Sequence, residues 1–323
     1  MEQRHYYSLN QYMMEQFGER VHRVPVNAGF TCPNRDGTKG INGCIYCNSR
    51  GAGAQWLQSS LSVKEQLLRG IIAIKKRFKV NKFIAYFQAF SNTYGSLSYL
   101  QSLYQEALEV PGIVGLAIGT RPDVVPDATL DLIEKFALKT HVWLEYGLQS
   151  IHDASLQWMK RGHGFKEFRD AVARTQGRSI LPLVHIIVGL PGETRQDMMI
   201  TAETIAALPL HGIKIHHLYV SSDSPLAKLY SDGSIKTIDE DYFIQLVVDI
   251  IERLPPSLVV HRLMGDCEPA YLIAPQWTLQ KARILRKIDA EFERRKSFQG
   301  FHYQRFYKTA LNGQLHTGIK SDK

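Results

Sequence analysis

Residues 30–49 read FTCPNRDGTKGINGCIYCNS. The stretch holds Cys32, Cys44 and Cys47, three of the four cysteines among 323 residues, in the spacing C-x11-C-x2-C. Three thiolates on one short loop can bind a metal or cluster and leave one coordination position unfilled. Iron–sulfur clusters are normally held by four cysteine thiolates, whereas structural zinc sites are closed by four ligands. A [4Fe–4S] cluster bound by three cysteines therefore presents one iron to a small molecule. Gly37, Gly40 and Gly43 let the loop backbone reach positive φ and wrap an inorganic core. Tyr46, just before the last cysteine, falls beside the open iron. Other readings stand next to this one. Zinc could use the three cysteines with Cys267 or one of the 12 histidines. A redox pair at Cys44 and Cys47 leaves Cys32 without a role, and a disulfide framework does not suit a long, cysteine-poor chain.

Around this loop the sequence alternates between two periods. Apolar, strand-like runs at 22–30, 83–90, 114–120, 141–147, 179–190 and 212–220 are separated by helical patterns. Ser62 and Glu65, three apart, form a capping box ahead of a helix that ends in cations, which suits the helix dipole. Such alternation predicts a parallel α/β sheet buried on both faces. The polar segments follow the strands, at the ends where α/β barrels place their chemistry. Residues 1–20 read as an N-terminal helical extension and 21–225 as the α/β body. The segment 226–323 reads as a mainly helical C-terminal extension packing on that body. It holds helices at 238–254 and 277–296 and an added strand at 257–263.

Composition narrows the class. A hydrophobic content of 44% with 22% charged residues is that of a soluble globular enzyme. No run of eighteen apolar residues is present to span a membrane. The polar, aromatic N-terminus lacks a signal-peptide core, so free thiols and a cytoplasmic location are expected. The net charge of +8 permits a polyanionic partner. Much of it lies between Lys281 and Lys308, where nine Lys or Arg face three acids and Phe292, Phe298, Phe301, Tyr303, Phe306 and Tyr307 are interleaved. That mixture reads either as an RNA surface or as a helix burying its aromatics and leaving a solvated basic face.

The loop, with CIYC at its end, resembles the radical S-adenosylmethionine (radical SAM) superfamily, and its wide spacing resembles the elongator catalytic-subunit-like branch. GTRPD (119–123), EYGLQS (145–150), MKRGH (159–163) and VGLPGET (188–194) are similar to segments of that branch and of oxygen-independent coproporphyrinogen oxidases. CPNRDG…GCxxC, together with RLMGD and the later AP-W motif, looks closest to a bacterial radical SAM family. The resemblance implies a partial (β/α)6 TIM-like barrel, a [4Fe–4S] cluster on Cys32, Cys44 and Cys47, and S-adenosylmethionine chelated to the open iron. It further implies an external one-electron reductant such as flavodoxin or ferredoxin, and a 5′-deoxyadenosyl radical that abstracts hydrogen from a substrate. Around the cofactor it places Gln88 and Ser91, where the family often has a glycine-rich segment for the methionine amino group. Glu145 and Gln149 fall at ribose or amino contacts, Arg161 at the methionine carboxylate, and Gly189 and Leu190 beside the adenine. Arg121 is expected to face substrate or to pair with Asp123. Elongator-like relatives imply modification of the tRNA wobble uridine. A radical enzyme acting on a small molecule or protein, and a zinc-stabilised RNA-binding protein, are the alternatives.

Overall fold

Residues two apart on each strand share a face, and that alternation sorts the side chains into two cores. The computed structural model describes residues 5–49, 51 and 60–303. Its main sheet is parallel throughout and is built from β1 (Val21–Val26), β2 (Lys82–Phe87), β3 (Ile113–Thr120), β4 (His141–Gln149), β5 (Leu181–Val188), β6 (Gly212–His217) and β8 (Val259–Arg262), adjacent in that order. The short β7 (Val220–Ser221) pairs antiparallel with β9 (Leu272–Ala274). The six-stranded expectation is therefore exceeded by one. β8, the strand anticipated at 257–263, pairs parallel with β6, so the chain beyond residue 225 completes the barrel wall as well as adding helices.

On the outer face, Phe83, Ala85 and Phe87 of β2, Val142, Leu144, Tyr146 and Leu148 of β4, and Val184, Ile186 and Val188 of β5 are buried in one large core. The helices α2 (Val63–Arg77), α3 (Leu97–Leu108), α4 (Asp127–Ala137), α6 (Phe165–Thr175), α7 (Arg195–Ala206), α9 (Glu240–Arg253) and α10 (Lys281–Arg295) contribute their apolar stripes to that same core. The Ser62–Glu65 capping box forms as the spacing predicts and starts α2. Short helices α5 (Asp153–Trp158) and α8 (Leu226–Ser231) line the cluster-loop end.

The inward face is different. Ile84, Tyr86, Ala117, Trp143 and Val259 meet Tyr12 and Met13 of α1 (Leu9–Phe17), which closes the barrel at the end opposite the cysteine loop. Tyr12 packs edge-on against His211, with ring centroids 4.7 Å apart, and tilts against Trp143 at 6.0 Å. α1 is anchored by Ser8, whose hydroxyl accepts from Gln11 N–H and whose backbone bridges to Val260.

Candidate active site

The cysteine loop is held to the strand ends by side chain-to-carbonyl hydrogen bonds, and the motifs that flank it supply both halves. Asn34 Nδ2 donates to the carbonyls of Lys160 (2.8 Å) and Arg161 (3.0 Å) and points at Cys44 Sγ at 3.3 Å. Ile45 N–H donates to Met159 O at 3.1 Å. Lys160 takes a left-handed conformation, φ 53°, which turns this segment towards the loop. Gly162 follows at φ 71°, where a Cβ would meet Asn34 Oδ1 at 2.6 Å. Arg35 donates to Asn48 O at 2.6 Å across the loop. Arg121 makes a two-bonded pair with Asp123, both contacts 2.9 Å, and donates to Arg161 O at 2.7 Å. Of the two roles expected for Arg121, the structure gives the pairing with Asp123. Burial opposes ionisation of Asp123, yet Arg121 outweighs it and holds the carboxyl at about 2.

These cations surround the thiols. Arg161 Nη1 lies 3.5 Å from Cys44 Sγ, and its Nη2 donates to Gly147 O at 2.6 Å. Burial alone would raise the Cys44 pKa, but Arg161, helped by Arg121 and Asn34, holds it below the usual thiol range. Cys47 goes the other way. Burial and then the neighbouring Cys44 push its pKa up, against the pull of Arg35. Cys32 and Cys47 are half-buried, and Cys44 is buried. Among the described residues no three His, Cys, Asp or Glu side chains gather around a single point. A cubane takes each thiolate on a separate iron, and the cationic, hydrogen-bonded setting of Cys44 suits such a ligand. Ser91 Oγ, Asn92 Oδ1, Arg161 Nε and His216 Nε2 are among the buried polar atoms without a hydrogen-bond partner. Unpaired buried groups of this kind are costly unless a ligand meets them.

A cavity of about 160 Å³ lies between the loop and the C-terminal strand ends. Tyr46 and Asn48 form its loop side, Gln88 follows β2 and Gln149 ends β4, His185 and Ile187 come from β5, His216 and His217 from β6, and Leu218 and Tyr219 follow β6. Arg262, which ends β8, and Asp266 of the same RLMGD segment complete it. Gln149 sits at φ 82°, where β4 slips register against β5, and this bend carries its side chain to the cavity. One layer below is an ionic network. Glu145 is fully buried, ion-paired to Lys214, and accepts from His185 Nε2 at 3.0 Å; Arg23 Nη1 is 3.9 Å away, and Lys214 also donates to Tyr86 OH at 3.0 Å. Burial opposes the Glu145 charge, but Lys214, His185 and Arg23 outweigh it and hold the carboxyl well below its ordinary range. Burial and Lys214 press His185 down to about 4, so the ring is neutral at neutral pH.

The structure brings Tyr46, Gln88 and Gln149 together on this cavity. Ser91 is buried beside the loop, its N–H donating to Thr31 O at 3.2 Å. Arg161 is committed to Cys44 and Gly147 through its Nη atoms, and its Nε has no hydrogen-bond partner. The Glu145 carboxylate is taken up by Lys214 and His185 through Oε2, leaving Oε1 without a hydrogen-bond partner. Gly189, at φ 78°, turns its Cα face to Ile238, which a Cβ would meet at 2.9 Å. Leu190 is buried in an apolar cluster with Ile45 and Ile187, against which Tyr46 packs. Cys267 is half-buried, with Sγ 3.6 Å from Glu268 O. The sequence reading missed His185, His216, Arg262 and Asp266 as cavity residues. For His185, His216 and Arg262 the signal was there, polar residues on otherwise apolar strands, whereas Asp266 sits in the loop after β8.

The basic C-terminal segment is largely neutralised. Arg283 and Lys287 pair with Glu240, Lys281 with Asp266, and Arg294 with Glu291. Arg295 bridges Asp249 (2.8 Å), Glu252 (3.4 Å) and Glu291 (2.7 Å). Phe292 is fully buried, whereas Phe298 and Phe301 are exposed. Arg305, Phe306, Tyr307 and Lys308 lie outside the described residues. For α10 the packed-helix alternative describes the structure better than a free cationic RNA surface.

Comparison with known proteins places this geometry. The Radical SAM superfamily pattern matches residues 31–205, and the Radical_SAM C-terminal domain matches 210–294. The protein YtqA of Bacillus subtilis is 36% identical over 307 residues, 94% of each chain. A tRNA uridine(34) acetyltransferase of Dehalococcoides mccartyi is 23% identical over 164 residues, 50% of this chain and 35% of that protein. Among solved structures, the archaeal Elp3 of Methanocaldococcus infernus superposes with a TM-score of 0.66 at 16% identity, over 88% of this chain and 67% of that one, a likeness of fold. Among the described residues no helix is long and apolar enough to cross a membrane.

Proposed function

Because the chain belongs to the radical SAM superfamily, we propose that Cys32, Cys44 and Cys47 hold its [4Fe–4S] cluster and that S-adenosylmethionine occupies the cavity between Tyr46 and the strand ends. When bound and reduced by an external one-electron donor such as flavodoxin or ferredoxin, this pair supplies reductive C–S cleavage, giving methionine and a 5′-deoxyadenosyl radical for hydrogen abstraction. The protein's own residues bind, orient and exclude water. The observation that carries the reading is a cavity with Tyr46 and Asn48 of the cysteine loop on one side and Gln88 and Gln149 on the other. Arg161 and Asn34 fix Cys44 and favour its thiolate. Ser91 Oγ and Arg161 Nε are the buried polar atoms left to meet the amino and carboxylate groups of the cofactor. Gln149 and Glu145 Oε1 face the ribose side, and Gly189 and Leu190 back the adenine. Residues 21–225 carry the cofactor chemistry, with β8 from the following segment extending the barrel wall.

For the substrate we propose a tRNA nucleoside at the wobble uridine, supported by the likeness to the tRNA uridine(34) acetyltransferase over half of the chain. A second reading, a small-molecule substrate, is favoured by the enclosed cavity and by the ion-paired cations of α10. Comparative nucleoside mass spectrometry of tRNA from cells with and without the gene separates them. A modified uridine lost with the gene supports the first, and identical nucleoside profiles support the second. Formation of 5′-deoxyadenosine by the reduced protein tests the shared premise, and S-adenosylhomocysteine as sole product would overturn it.

A further inference from the structure

The RLMGD segment carries no role in the reading above, although the structure places its Arg262 and Asp266 on the cavity wall. The surrounding charges do not balance. Among the described residues Arg23 and Lys214 share Glu145, and Arg262 and Lys281 share Asp266. Guanidinium groups stay protonated in proteins, so a surplus of positive charge remains even with Lys214 neutral. Asp266 is shared: its carboxylate pairs with Arg262 Nη2 at 3.3 Å and takes two contacts from Lys281 at 2.8 and 3.0 Å, so one acid serves two cations. Glu145 is occupied a layer below by Lys214 and His185. Beside Arg262, His216 stacks on His185 with ring centroids 5.6 Å apart, and its buried Nε2 has no hydrogen-bond partner. Tyr219 and Gly265 shape the same wall, the tyrosine ring lying 3.2 Å from where a Gly265 Cβ would stand.

We propose that Arg262 and His216 form an oxyanion subsite for the substrate, receiving a carboxylate or phosphoryl group that enters the cavity. A planar fork beside a neutral imidazole fits such a group. The guanidinium supplies two parallel donors, and the imidazole adds a third in the tautomer protonated at Nε2. His185 is a positioning residue: Glu145 accepts from its Nε2 and fixes the ring on which His216 stacks. The subsite lies on β6 and β8, across the cavity from the cysteine loop. It deepens the radical-enzyme reading and rests on it for the identity of the occupant as substrate. An acidic substrate, whether a carboxylated metabolite, a carboxylated nucleoside or a nucleotide phosphate, is the class this wall recognises.

The test uses the anaerobically reconstituted protein without S-adenosylmethionine or reductant. Its unfolding midpoint is measured against inorganic phosphate and, separately, acetate, with chloride at equal ionic strength as reference. A saturable rise of about 2–3 °C is expected at ten times Kd. Saturation by phosphate points to a phosphoryl group and saturation by acetate to a carboxylate; either supports the subsite. Arg262→Gln should weaken the apparent affinity roughly 10- to 100-fold, the worth of a charge-assisted pair. His216→Asn should weaken it about threefold to tenfold, and Arg286→Gln on exposed α10 should leave it unchanged. If Arg262→Gln does not fold, the His216 variant decides. No rise beyond chloride, or equal affinity in wild type and the deciding variant, overturns the proposal. Iron content of the same sample reports separately on the cluster, so failure of the radical-enzyme reading is seen independently of oxyanion binding.

Discussion

Glu145→Gln removes the carboxylate that faces Lys214, Arg23 and His185 inside the barrel, all without changing side-chain volume. Glu145 and Lys214 are each at most 1% exposed, so neither charge has water to fall back on. Breaking a buried pair from one side typically costs about 3–5 kcal/mol, because the partner charge is left uncompensated. Here burial already presses the Lys214 pKa downward. Lys214 can therefore shed its proton, which places the expected loss near the lower figure, about 3 kcal/mol. Glu145→Gln with Lys214→Met removes both charges and should cost less than the two single changes together by at least about 1 kcal/mol. The assay is anaerobic urea unfolding near pH 7.5, followed by the fluorescence of the buried Trp143 and by circular dichroism. The acid limb gives a second readout. The folded-state pKa of Glu145 is depressed, so its stabilisation is full above the ordinary carboxyl pKa and is lost as pH falls through the folded value. Glu145→Gln should flatten that limb. A single variant within about 0.5 kcal/mol of wild type, a change ordinary for a surface site, or strict additivity in the double variant, would refute the ionic account of this layer.

Replacing Cys32, Cys44 or Cys47 by alanine should abolish the brown chromophore and the binding of about four irons, whereas Cys267→Ala should keep both; iron and sulfide analysis decides. Asn34→Ala leaves the ligands intact but removes the bonds to Lys160 O, Arg161 O and Cys44. A loss of about 1–3 kcal/mol of local stability should speed bleaching in air roughly tenfold, read from the decay of visible absorbance. His141 and His211, both pushed down to about 4 by burial, should make stability fall as pH drops from about 6.5 towards 4, because the unfolded chain takes up those protons first. His141→Phe should shrink that fall in the urea midpoint.

Local signals were legible in the sequence and long-range ones were not. The capping box at Ser62 and Glu65 and the alternation of apolar runs with helices act over a few residues, and both appear as read. Glu145 was recognisable as a charge in an apolar strand, but its partners Lys214 and His185 lie 69 and 40 residues further on. They meet only because the sheet curls and inward positions from β4, β5 and β6 share one layer. β8 was legible as a run, while its place beside β6 depended on a register the sequence does not display. The ion pairs of α10 were hidden for the same reason. Arg295 looks unpaired along its own helix apart from Glu291, yet Asp249 and Glu252, more than forty residues earlier on α9, take up its charge. MKRGH and CPNRDG were visible as separate motifs. That one supplies the carbonyls and the other the amide that sews them together required their spatial meeting.

Tyr12, wedged among Trp143, His141 and His211, is a stopper as well as a packing residue. Packing at that end leaves the chemistry to the opposite rim, where Tyr46 and Arg262 line one cavity beside the cysteine loop.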